Sequence, residues 1–144
     1  MAALDQLMRV HRWNLDEKRQ KLAELERLRE RLQGNIETLE EELRREKEAA
    51  ARADVTSISL PAFIRSTLER RQKIEESVAE VERSIAAARE EIADAFQELK
   101  KYETAHSNQR RREAEKQSKR EQVLADEAGL EMHRRRAAGA AGAD

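Results

Sequence analysis

From Leu4 onward, apolar residues return at alternating steps of four and three, and the pattern holds for about six heptads. The series is Leu4, Met8, His11, Leu15, Lys18, Leu22, Leu25, Arg29, Leu32, Ile36, Leu39 and Leu43, nine of the twelve being apolar. A mean spacing of 3.5 residues keeps one stripe facing a partner only when two helices wind around each other, so this seam specifies a coiled coil. The remaining positions are mostly Glu, Lys, Arg and Gln. Acid-to-base pairs four residues apart, such as Glu40 with Arg44, support the helix in isolation. The spacing predicts a first helix over about 3–53.

The stretch "ADVTSISLPAF" breaks the pattern with β-branched and hydroxyl residues and the only proline of the chain, and it predicts a turn over about 54–59. Ser59 is a suitable N-cap. Pro61 is tolerated in a first helical turn, where its missing N–H costs no intrahelical hydrogen bond. A second seam follows: Leu60, Ile64, Thr67, Arg71, Ile74, Val78, Val81, Ile85, Ala88, Ile92, Ala95, Leu99 and Tyr102. Continued in register it gives His106, Gln109, Glu113, Lys116, Arg120, Val123, Glu127 and Leu130, six of the eight polar. The apolar stripe therefore ends near Tyr102 while helix propensity continues. A second helix is expected over about 60–135, then a flexible Ala/Gly-rich tail over about 136–144.

These elements predict an all-α fold, a single-domain antiparallel two-helix coiled-coil hairpin with an overhanging C-terminal helix. Pairing residues whose numbers sum to about 117 sets a positions against d positions. It puts Leu39 with Val78, Ile36 with Val81, Leu32 with Ile85 and Leu25 with Ile92. The same register sets Arg29 and Leu22 against the small Ala88 and Ala95, Glu46 against Arg71, and His11 against His106. Helix one then runs out near residue 113, and the rest overhangs. About fifty paired residues would make a rod of roughly 75 Å.

Composition narrows the function. Two Phe, one Tyr and one Trp in 144 residues cannot fill an ordinary globular core, while 41% charged residues with four Gly and one Pro belong to long helices. The formal charge of −1 removes bulk attraction to nucleic acid or acidic membranes as a leading explanation. With no cysteine there is neither a disulfide framework nor a Cys-based metal site. No apolar run is long enough to cross a membrane, and the N-terminus lacks a secretory pattern, so the expectation is a soluble intracellular chain. A two-helix rod offers no concave, water-excluding pocket, and no Gly-rich phosphate loop or HExxH arrangement occurs; no enzyme activity and no cofactor are expected. His11 and His106 lack a third ligand, which favours a hydrated polar layer over a metal.

Three surfaces remain as candidates for docking. Trp13 takes position f, farthest from the partner helix, with Val10 at c and Leu7 at g forming a minor apolar strip. The bland alternative is an indole lying along its own helix on the stems of Arg9 and Glu17; the functional one is a binding hot spot, where tryptophan is enriched. Ile58, Leu60, Phe63, Ile64 and Leu68 crowd the turn end with more apolar surface than closing the hairpin needs. The overhang "QRRREAEKQSKREQ" carries six basic residues against three Glu, with Arg110, Arg111 and Arg112 in a row. It reads as a solvated helix, a grip on an acidic protein, which is the better reading, or a contact to nucleic-acid phosphates. No aromatics interleave to stack on single-stranded nucleic acid.

The leucine-spaced first helix with "LDQLMRVHRWNLDEKRQKLAELERL", the short turn and the longer charged second helix resemble the flagellar FliJ family, of the alphaproteobacterial type. The likeness covers almost the whole chain, and injectisome stalk proteins share the architecture. The resemblance implies a cytoplasmic component of the flagellar type III export apparatus, peripheral to the inner membrane at the flagellar base and similar to the γ stalk of rotary ATPases. It implies three partners: the hexameric export ATPase, a membrane export gate protein and export chaperones. On that reading Leu7, Val10, Trp13 and Arg110 to Arg112 belong to the ATPase end, and Ile58, Leu60, Phe63 and Ile64 to the gate end. The chain would be a monomer when free, without nucleic-acid binding or membrane insertion. The alternative from another class is a coiled-coil tether or dimeric scaffold.

Overall fold

The computed structural model describes residues 2–53 and 59–142. Two helices account for nearly all of them, α1 over Ala2–Arg52 and α2 over Leu60–Ala141, packed against each other as an all-α hairpin without strands among the described residues. The sequence beyond Arg52, "ADVTS", is poor in strong helix formers, which accounts for the end of α1 there. Ser59 stands where an N-cap is expected: its carbonyl accepts a 2.9 Å hydrogen bond from the Phe63 amide, closing the first turn around Pro61. Ile58 and the rest of the expected turn, apart from Ser59, lie outside the described residues. α2 passes residue 135 and continues to Ala141, since its Ala-rich end has the best helix former at most positions.

Two compact units emerge, one of Val10–Glu98 and one of Met1–Arg9 with Leu99–Asp144. In the first, Leu15, Leu39, Val81, Ile85 and Ala88 are buried. Leu22, Leu25, Leu32, Ile36, Leu43, Ile74, Val78 and Ile92 are half-buried. Partial burial follows from having one partner helix: each seam residue keeps a flank open to water. Full burial of a Leu or Ile is worth about 1.5–3 kcal/mol, so these layers stabilise by many moderate contributions. Among the described residues, Thr67 is the one polar residue buried at a seam position, and no buried side-chain polar atom lacks a partner.

The cross-helix ion pairs correct the expected register. Arg71 reaches Glu40 at 2.8 Å, in place of Glu46, and Lys18 reaches Glu91 at 3.4 Å. Arg71 and Lys18 occupy seam positions, so their partners report the layers directly: their numbers sum to 111 and 109, bracketing about 110 and lying one heptad below 117. Leu25 is thereby level with Ile85, and Ile36 with Ile74. The helix ends supply the reason. Arg52, where α1 ends, and Leu60, where α2 starts, sum to 112, nearer 110 than 117. A third pair, Glu26 with Arg89 at 3.5 Å, joins positions flanking the seam and sums to 115, a stagger of five residues from the register near 110 that the two long side chains span.

In the other unit Met8 and Leu99 are buried and Tyr102 is half-buried. His106 Nε2 lies 2.9 Å from Asp5 Oδ1, numbers that again sum to 111. α1 begins at Ala2, so in this register α2 has nothing opposite it much beyond residue 108. Every described residue from Arg110 to Gly142 is accordingly exposed, and the overhang starts a few residues earlier than a sum of 117 would place it.

Candidate protein-docking surfaces

Within the Val10–Glu98 unit, Val10 is 59% and Trp13 65% exposed. They lie three residues apart on α1 and share one side of it. The heptad puts them away from the seam, so burial of neither is needed to close the hairpin. The indole lies open to solvent, and its N–H is a donor available to a partner. In the unit holding both chain ends, Leu7 is 43% exposed. There Arg110, Arg111 and Arg112 are all exposed, and Arg111 donates to Asn108 Oδ1 at 3.4 Å. The latter contact is long and local, leaving the guanidinium able to meet a carboxylate.

At the start of α2, Leu60, Phe63 and Ile64 are half-buried rather than open, and Leu68 is 48% exposed. Leu60, Pro61, Ile64 and Leu68 line an open groove of about 850 Å³ flanked by Arg65, Glu69 and Lys73. All its walls come from α2. It is a shallow, open strip, not an enclosed cavity for a small molecule.

Further along α1, Arg44 bridges Glu41 at 2.6 Å and Glu48, while Arg45 reaches Glu41 at 3.2 Å. The hydrogen bond from Arg44, aided by that from Arg45, holds the Glu41 carboxyl down at about 2, well below its usual 4.5. These groups are exposed and structural: they lock one face of α1 with i to i+3 and i to i+4 contacts. Among the described residues no three His, Cys, Asp or Glu side chains gather in a way that could hold a metal ion, and His106 is engaged by Asp5.

Sequence reasoning passed over Phe96, 46% exposed beside the seam residue Ala95, and the open Leu124 and Met132 of the overhang, at 64% and 55%. Phe96 follows its seam neighbour directly, a position the heptad assigns to the flank, so the signal was present. Leu124 and Met132 fall off the continued heptad and carried none.

Two long helices packed together along a heptad seam define the class as an all-α coiled-coil hairpin. The sequence profile of the family described as "Flagellar FliJ protein" matches residues 1–138 of the 144. The chain belongs to the FliJ family, and is therefore a component of flagellar type III protein export. No curated protein and no solved structure matches it.

Proposed function

We propose that this chain is a non-enzymatic stalk of the flagellar export apparatus, working in the cytoplasm at the inner membrane. It binds the hexameric export ATPase near its chain ends, through Leu7, Val10, Trp13 and Arg110 to Arg112. It meets the membrane export gate protein through the bend, using Ile58, Leu60, Phe63 and Ile64, and it receives export chaperones along its length. The observation that carries the reading is Trp13: a large aromatic with 65% of its surface in water, on a face the hairpin does not use. Leaving so much apolar surface open is costly unless a partner covers it, and tryptophan is the residue type that most often anchors such a contact. Among the described residues no helix is long and apolar enough to cross a membrane, which suits a protein that visits the gate without inserting.

The test is a pull-down with purified export ATPase. Trp13→Ala is expected to weaken capture at least tenfold with helicity unchanged, whereas capture equal to the parent removes Trp13 from the interface. Phe63→Ala and Leu68→Ala are expected to weaken gate binding and spare the ATPase. The opposite pattern would mean that the two ends are exchanged.

A further inference from the structure

The groove at the start of α2 carries a charge pattern that is complementary to itself. At 100° per residue, Pro61, Arg65, Leu68, Gln72 and Glu76 share one face of α2, with Glu69 and Lys73 along one edge. Arg65, Glu69 and Lys73 form no salt bridge among the described residues, although carboxylates and cations crowd the same helix. Signs alternate along the strip: Arg65 positive, Glu69 negative, Lys73 positive, Glu76 negative. When two copies of one helix pack antiparallel about a two-fold axis, equivalent sides meet and residues whose numbers share a sum come level. A sum near 141 sets Arg65 against Glu76 and Glu69 against Lys73, each twice. It also lays Leu68 beside Gln72 and Pro61 beside the small Ala79, so no like charges and no two bulky groups collide.

We propose that this face is a reversible homodimer contact, in which two copies of the chain join strip to strip with their second helices antiparallel. The contact covers about four turns of one helix, small beside the roughly 1,600 Å² of a standard stable interface. The dimer is therefore weak, forms at high local concentration, and leaves the dilute chain monomeric. Exposed charges supply much of its specificity, so added salt weakens it. A dimer would cover Leu68 and Pro61, which adjoin Leu60 and Ile64 of the surface proposed above for the gate. The self-association test uses no gate protein, so its failure leaves the gate reading untouched.

Sedimentation velocity from 5 to about 500 μM at low ionic strength is the measurement. The parent is expected to shift from a 16.7 kDa species toward twice that mass as concentration rises, and to shift back in 0.5 M NaCl. Glu69→Lys and Lys73→Glu, each alone, create two like-charge contacts per dimer and are expected to weaken self-association about tenfold. The deciding sample is a mixture of the two single variants. Charges are then opposite between the chains although each chain repels its own copy, so a mixed dimer should form, which restored contacts within one helix could not produce. A parent that stays monomeric throughout, single variants that associate as well as the parent, or a mixture that does not associate would each overturn the proposal.

Discussion

Ile85 and Trp13 are both large apolar side chains on long helices, 2% and 65% exposed, and their different surroundings give them different duties. Ile85→Ala removes buried methyl groups from a layer that cannot fully collapse, and should cost about 2–4 kcal/mol in urea denaturation. Trp13→Ala should change stability by no more than about 0.5 kcal/mol, because an exposed position away from the seam loses little packing. Circular dichroism and urea melts of the pair test this contrast without any partner. Glu41 makes a prediction in pH. Its carboxyl titrates near 2 in the fold against 4.5 otherwise, so the folded state binds fewer protons and the contribution is complete above about 4.5. It is lost as pH falls from 4.5 toward 2. Because the group is exposed, the effect should appear as a small acid-side decline that Glu41→Gln abolishes and salt reduces.

At the scale of the element, a glycine is a weak point inside α1. Gly34 lies in the middle of α1, with nothing within 4 Å of the position a Cβ would take. Gly34→Ala should therefore stabilise by about 0.5–1 kcal/mol, through backbone entropy and with no new contact. The register invites a more decisive test. Because the chain lacks cysteine, an engineered pair reports alone: Ile36→Cys with Ile74→Cys should form a disulfide under mild oxidation, and Ile36→Cys with Val81→Cys should not. Efficient bridging of the second pair would restore the register summing to 117. Helix bounds were largely legible from the chain, since seam spacing, the weak formers after Arg52 and the Ser59 cap each act locally. The end of α2 was not, because glycine in an Ala-rich run reads as a breaker when it costs only about 1 kcal/mol against Ala.

For the whole molecule, the overhang is the part that folding can spare. Residues 110–142 are exposed throughout, so a chain ending at residue 109 should keep the urea midpoint of the parent within error while losing helical ellipticity in proportion to its length. The proposed function predicts that this truncation also weakens ATPase capture, as Arg110 to Arg112 leave with it. Gate capture should be unaffected, and loss of both would mean that the segment steadies the entire fold.

The sequence by itself determined that there would be two helices, which face of each would be apolar, and that α2 would outlast its partner. Those properties arise from periodicity and local propensity, which every window of the chain carries. It also placed Trp13 off the seam. Only the tertiary structure decided the register, because shifting one heptad helix past another by seven residues returns a on d and leaves the apolar pattern unchanged. Helix ends and the bonds of Arg71, Lys18 and His106 broke that degeneracy. The beginning of the overhang at Arg110 followed from it, since what covers a residue depends on which part of the other helix arrives opposite.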